Sequence, residues 1–291
     1  MHRPTAEFPQ HLETLYRRFP FERSLALDPL SCVRPFAGST RGAEVAGIFA
    51  ATIAIGNVTS IRHAFATLLE RADGNLEAAV ERAGPSGRRI FAPFRHRWIR
   101  DDQMDHLARQ LAHLYGSYSS LEELFEESRQ ANGFPYGLDA LARGLRGNGD
   151  RDGPSAPPGY ARLFPSPLDP SGSACKRLTL FLRWMVRRGF PDLGVWTHTP
   201  TEELRIPLDQ HVYWIAYHLG LTGRRTRNWK TVEEVTAALR AIDPTDPVKY
   251  DFVLCHTGIS GDCPKRRDMR VCGPCSVRPD CLLWRRVRGG S

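Results

Sequence analysis

Four of the seven cysteines, Cys263, Cys272, Cys275 and Cys281, fall in one C-x8-C-x2-C-x5-C stretch of nineteen residues. Four thiolates gathered by a fold are a metal-binding set before they are anything else. Structural zinc usually takes its ligands as two close pairs, whereas this stretch has one C-x2-C pair flanked by two wider, unequal loops. Unequal loops suit a [4Fe-4S] cluster, whose iron corners are reached from different directions; the spacing favours the cluster and keeps structural zinc as the alternative. A disulfide framework is disfavoured. Seven thiols cannot all pair, and Met1-His2-Arg3-Pro4-Thr5-Ala6-Glu7 lacks the apolar core of an export signal, so a cytoplasmic, reducing compartment is expected.

A second chemistry comes from the scarcity of lysine. The chain carries 40 Lys and Arg against 32 Asp and Glu, a formal charge of +8, yet only Lys176, Lys230, Lys249 and Lys265 are lysines. The balance favours a polyanionic partner. Where arginine fills nearly every cationic position, a lysine marks places that guanidinium cannot serve. Amine chemistry is one, because an ammonium can lose its proton and attack carbon; Lys176 and Lys249 are rivals for that role, and at least two of the four lysines are expected to be leftovers. Asp209, in Ile206-Pro207-Leu208-Asp209, reads on its own as the N-cap of the next helix. His211 and His256 read as structural, and Cys32, Cys175 and Cys255 as buried small side chains, with Cys255 near enough to the cysteine stretch to replace Cys263 as a ligand.

The elements that must position these groups read as helices. Leu12, Leu15 and Tyr16 recur at helical spacing, and Asp28-Pro29 starts a second short helix. Val45, Ile48, Phe49, Ile53 and Ile55, opened by Glu44 and closed by Gly56-Asn57, predict a helix apolar almost all round, running through the centre of a lobe. Further helices follow at Ile61 to Leu69, Leu107 to Leu114 and Leu121 to Phe125. Between them, Phe91 to Trp98 mixes aromatic and basic residues. Such a segment can stack on bases and contact phosphate, although an aromatic half-buried beside surface arginines is the commoner outcome. Gly84-Pro85-Ser86-Gly87 and the Gly-, Asp-, Arg- and Pro-rich span 143–158 predict surface loops. A helical turn at Tyr160 to Phe164, ended by Pro165, leads through a polar turn into a helix from about Ala174 to Arg188. Later helices open near Thr201, Asp209, Thr231 and Pro247. No strand alternation and no apolar run long enough to span a bilayer stand out, so the fold class is all-α.

Three features fall in order: a helix, turn and helix carrying Gly172-Ser173-Ala174-Cys175-Lys176; an aspartate at a helix start in Ile206-Pro207-Leu208-Asp209-Gln210-His211-Val212; and the cysteine stretch. This order resembles the helix-hairpin-helix DNA glycosylase superfamily, in particular endonuclease III and its iron-sulfur relatives. Glu44-Val45-Ala46-Gly47, Ser173-Ala174-Cys175-Lys176-Arg177-Leu178, Phe181-Leu182-Arg183-Trp184-Met185 and Asp246-Pro247-Val248-Lys249-Tyr250-Asp251-Phe252 are similar to a bacterial and archaeal branch of it, a domain-of-unknown-function family. The similarity spans nearly the whole chain. It implies a two-lobed glycosylase-like fold with Lys176 as nucleophile, Asp209 as catalytic carboxylate, and Cys263, Cys272, Cys275 and Cys281 as cluster ligands. It also implies a hairpin whose backbone N–H groups near Gly172 and Ser173 hold a phosphate. Three departures stand against the superfamily pattern, one of them a first cysteine loop, x8, longer than the family's usual one. The usual glycine-rich hairpin is replaced by Phe164-Pro165-Ser166-Pro167 and a longer turn with only Gly172, and the segment Gly189 to Arg205 is longer than in endonuclease III.

The expectation drawn from all this is a DNA repair glycosylase that excises a damaged or modified base, with abasic-site lyase activity through a lysine Schiff base. Residues 35–205 would form a helical barrel lobe with the hairpin element at about 160–188. Residues 1–34 and 206–291 would form a second lobe carrying the cluster loop, 263–281. Breaking an N-glycosidic bond builds positive charge on the sugar, which a carboxylate stabilises, and an amine attacking the anomeric carbon gives the Schiff base. Lys249, Lys265, Arg266 and Arg267 are further candidate DNA contacts, double-stranded DNA is the expected partner, and the protein is expected to be a monomer. The reading from another class is a catalytically silent iron-sulfur DNA- or RNA-binding protein.

Overall fold

The computed structural model describes residues 5–84, 89–147, 155–170 and 172–285. The predicted loop at Gly84 to Gly87 and the middle of the 143–158 span lie largely outside the described residues. In chain order the helices are α1 (Phe8–Arg17), α2 (Phe21–Leu25), α3 (Leu30–Val33), α4 (Thr40–Thr52), α5 (Val58–Arg71), α6 (Leu76–Arg82), α7 (Asp101–Ser117), α8 (Leu121–Asn132) and α9 (Phe134–Arg146). They continue with α10 (Lys176–Val186), α11 (Gln210–His218), α12 (Trp229–Arg240), α13 (Asp251–Ile259), α14 (Met269–Cys272) and α15 (Leu282–Arg285). A two-stranded hairpin, β1 (Arg95–His96) and β2 (Ile99–Arg100), is the one departure from all-α among the described residues. None of the described helices is long and apolar enough to cross a membrane.

The chain divides into two compact units, Leu25–Pro200 and the pair Met1–Ser24 with Thr201–Ser291. Residues 25–34, assigned from the sequence to the second lobe, and 201–205, assigned to the first, therefore change sides. The reason for the first shift is packing: Leu30 and Val33 are fully buried, α3 lies on α4, and Arg34 donates to the carbonyl of Pro191. For the second, Arg205 is ion-paired to Glu233 of α12 at 2.9 Å, and the Ile206 N–H beside it donates to Thr236.

In the 25–200 unit, α4 is the buried axis, with every residue from Gly42 to Thr52 inside. Its start differs from the sequence reading. Ser39 is the cap, accepting the Gly42 N–H at 2.9 Å, and Glu44 lies a full turn inside the helix, in the core. Gly47 is required where α10 crosses: a Cβ there would stand 2.9 Å from Met185 Cε and 3.1 Å from Phe181. Asn57, Asn75 and Ser120 cap α5, α6 and α8 in the same manner as Ser39. Two helices absent from the sequence reading, α6 and α9, complete this unit. The α9 stripe Phe134, Leu138, Leu141 and Leu145 has helical spacing and is buried against α8 and α7.

In the other unit, α11 and α13 pack together, and Gly258 permits the approach, since a Cβ there would sit 2.8 Å from His211 Cβ. Helix α12 starts at Trp229 under an Asn228 cap; Thr231, predicted as the opening residue, is inside the first turn and donates its hydroxyl to the Thr226 carbonyl. Helix α13 starts at Asp251, with Pro247 to Tyr250 forming the turn before it.

Candidate functional site

Lys176 is the first residue of α10, and the turn before it is tightly specified. Ser166 donates its hydroxyl to Asp139 at 2.6 Å, and Asp169 accepts the Ser166 N–H at 2.9 Å while pairing with Arg146 at 3.3 Å. Gly172 (φ 61°) and Cys175 (φ 50°) adopt left-handed backbone, and Cys175 donates its N–H to Ser173 Oγ at 3.2 Å. A non-glycine residue held in that region immediately before a helix is the kind of strain that accumulates at functional turns. The structure corrects one expectation here. The Gly172 N–H donates to the Asp169 carbonyl at 3.0 Å, so it is spent within the turn, whereas the N-terminus of α10 itself has no side-chain cap. The Cys175 thiol is buried and pushed up to about 12 by burial, with Asp169 adding to the effect, which leaves it chemically quiet.

The Lys176 ammonium, half-buried, lies 3.5 Å from the carbonyl oxygen of Ala54. It is one of three basic side chains collected at the C-terminal end of α4. Arg177 Nε donates to Thr52 at 3.1 Å, and His96 Nε2 is 2.9 Å from Ile55 O. The end of a helix carries partial negative charge and unmet carbonyls, so cations gather there. Burial brings Arg177 down to about 10.

Asp209 caps α11, accepting the Val212 N–H on Oδ1 at 2.8 Å, which is the bland role the sequence allowed. Its other oxygen, Oδ2, faces the Cys255 thiol at 3.5 Å. Cys255 therefore spends its sulfur on the capping aspartate, against the reading that it stands in for Cys263. Lys249 is also committed within its own unit. Its ammonium is 2.9 Å from Glu13 and 3.5 Å from Asp243, and lies over the rings of Tyr16 and Tyr250 at 5.1 and 5.3 Å. Burial works to lower its pKa, but the Glu13 hydrogen bond and the neighbouring charges outweigh it and keep the amine protonated. That is the setting of a structural cation, and neither the nucleophile role nor a DNA contact draws support from it.

The four cysteines of the stretch are all half-buried. Burial raises the thiols of Cys263, Cys275 and Cys281, and the sulfurs of the set add to this by raising one another. Working the other way, backbone N–H groups two residues on are aimed at each of these three sulfurs: Lys265 at Cys263, Val277 at Cys275 and Leu283 at Cys281. N–H donors directed at sulfur favour thiolate, and neighbouring half-buried thiolates need a cation among them. The donor chemistry thus fits a thiolate-bound metal centre, although the described residues hold no group of three or more His, Cys, Asp or Glu side chains already spaced for a metal ion. The loop is pinned from the side by Asp280, fully buried, which accepts from the Thr5 N–H at 2.9 Å and from His11 Nδ1 at 2.8 Å. Sequence reading passed over Asp280, for which the x5 spacer gave no signal. Of the basic residues on the loop, Arg266 and Arg267 are exposed and Lys265 is half-buried. Arg267 donates to the Leu283 carbonyl and lies over Trp284, whose ring also faces Arg278 at 5.9 Å.

Together these features define a predominantly helical chain of two units, one presenting a lysine at a helix start behind a left-handed cysteine and the other a loop with four half-buried cysteines. The chain belongs to the family described as "Protein of unknown function (DUF2400)", whose profile matches residues 28–260. The matched stretch contains Lys176 and Asp209 and ends before Cys263. Comparison with curated proteins and with solved structures gives no match.

Proposed function

We propose that this protein is a DNA base-excision glycosylase with abasic-site lyase activity, a cytoplasmic iron-sulfur protein acting on double-stranded DNA. The observation that carries the reading is the setting of Lys176: a lysine in an arginine-dominated chain, at an uncapped helix start behind a left-handed cysteine, half-buried beside a helix C-terminus. The uncapped helix start favours an anion, as a DNA phosphate is, and the amine is the group there able to add to a sugar aldehyde. In that reaction the nitrogen bonds to C1′ and water leaves as the Schiff base forms; loss of the C2′ proton then expels the 3′ phosphate by elimination. Asp209 serves as the carboxylate that stabilises positive charge on the sugar during base loss.

Cys263, Cys272, Cys275 and Cys281 would hold a [4Fe-4S] cluster, with zinc as the alternative occupant. Its contribution when bound is structural: it orders the loop that displays Arg266, Arg267 and Arg270 toward phosphate. Metal analysis of anaerobically purified protein tests this directly, and stoichiometric zinc without sulfide would overturn the cluster.

Borohydride trapping on a duplex with one abasic site tests the enzyme. The expected outcome is a covalent protein–DNA adduct with the natural protein and with Lys249→Ala, and none with Lys176→Ala. An adduct that survives Lys176→Ala would remove Lys176 as nucleophile. Binding without any adduct would remove the lyase step and leave base excision by water, dependent on Asp209.

A further inference from the structure

The β1–β2 hairpin stands at the same end of α4 as Lys176 and has no part in the chemistry above. Its register, Arg95 with Arg100 and His96 with Ile99, leaves Arg97 and Trp98 as a two-residue turn. Such turns want positive φ at their first position, usually from glycine or asparagine; here Arg97 takes it, at φ 56°. The inward side chains hold the tip in place. His96 and Ile99 are buried, and His96 is bonded to the Ile55 carbonyl. Arg97 lies against Gly56, where any Cβ would come within 2.8 Å of its guanidinium.

The outward side chains are Arg95, Arg97, Trp98 and Arg100, all exposed. Trp98, at 45% exposed, is the aromatic half-buried beside surface arginines that the sequence led to expect, with its outer part open to solvent; Phe91 and Phe94 are buried. Arg177, itself held by the Thr52 and Leu163 carbonyls, lies over the indole at 5.8 Å. A guanidinium against one side of the ring fixes its plane and leaves the rest of the indole to solvent. An anchored tip bearing an indole among arginines loses little freedom when a flat, anionic partner arrives.

We infer that Trp98 stacks on an unpaired base of bound DNA, with Arg95 and Arg97 against the flanking phosphates. The inference rests on the DNA reading above and adds to it the residue that senses an opened base pair. An unpaired base offers the π-face that a paired stack conceals, and stacking tolerates any base.

Fluorescence anisotropy with a labelled duplex containing one abasic site, and with the fully paired duplex of the same sequence, tests it. Trp98→Ala is expected to bind the abasic-site duplex about ten-fold more weakly and the paired duplex nearly as the natural protein does, while Trp98→Phe keeps most of the affinity. The Arg95→Gln, Arg97→Gln double variant is expected to weaken both duplexes alike and to lower the salt slope by about two. Far-ultraviolet circular dichroism melts confirm that each variant folds. Unchanged affinity of Trp98→Ala for the abasic-site duplex, or an equal loss on both duplexes, would overturn the assignment. Binding by the natural protein without a borohydride adduct would remove the lyase step and leave the hairpin intact; no binding to either duplex would remove both.

Discussion

The interior of the 25–200 unit and the 261–285 loop are held together by opposite means. Around α4 the core is apolar and closed, and it even accommodates a carboxylate: Glu44, fully buried, accepts from Trp196 Nε1 at 2.8 Å, the Tyr115 hydroxyl at 3.0 Å and the Leu121 and Glu122 N–H groups at the start of α8. In the loop, Val277 and Asp280 are the sole buried residues between 261 and 285. Burial on that scale cannot offset the entropy of ordering so many residues. The first region is stable because it packs. The second, on the function proposed above, depends on a cation between its thiolates, and it is tied at its side by Asp280.

The sharpest way to break this contrast is to take the cation away. Chelation or Cys275→Ser is expected to abolish hydrogen-exchange protection across 261–285 while α4 and α10 keep theirs. Equal loss in both regions would show that the loop and the core unfold as one.

The next effect belongs to the core. Glu44→Ala strands several buried donors and is expected to cost about 3–5 kcal/mol in chemical denaturation. The pH dependence has a definite sign. Burial pushes Glu44 up from 4.5 to about 7, so between those values the folded chain holds a proton that the unfolded chain has released. Its contribution to stability therefore falls as pH rises from about 4.5 to 7, by on the order of 3 kcal/mol, and is level above that. Denaturation curves from pH 4 to 8 should show this fall in the natural protein and a flatter profile in Glu44→Gln; an unchanged slope in the variant would assign the pH dependence to other groups.

The smallest effect is at Asp280. Burial raises its pKa, but the Thr5 and His11 hydrogen bonds outweigh that and hold the carboxyl below its usual range. Asp280→Asn is expected to cost about 1–3 kcal/mol. The loss should show as faster exchange in α1 and in the turn around Cys281, with α4 unchanged.

Much of the molecule was legible in advance where a residue's local role and its tertiary role coincide. The apolar run from Val45 to Ile53 reads as an interior helix and lies in the core, and Asp209 before Val212 reads as a cap and accepts the Val212 N–H. Helix α9 was passed over although Phe134, Leu138, Leu141 and Leu145 carry the period plainly; its last turn, from Arg143, falls in the glycine- and arginine-rich span read as a loop. Glu44 was misread for a physical reason: a carboxylate at the front of an apolar run looks like a helix start, and only the distant partners Leu121, Tyr115 and Trp196 explain how it can lie in the core. Lys249 and Lys176 were equal candidates as letters, and their surroundings separate them. Glu13, 236 residues before Lys249, claims one ammonium, while the other sits at the end of α4.

By itself the sequence determined the helical class and the Asp209 cap, because periodicity and capping chemistry are written within a few neighbouring positions. The tertiary structure decided which polar groups are spent and which remain available. It committed Lys249 and Cys255 to intramolecular partners, buried Glu44 and Asp280, and left Trp98 half-exposed beside Arg177. Those outcomes depend on partners tens to hundreds of residues away, and no local pattern encodes them.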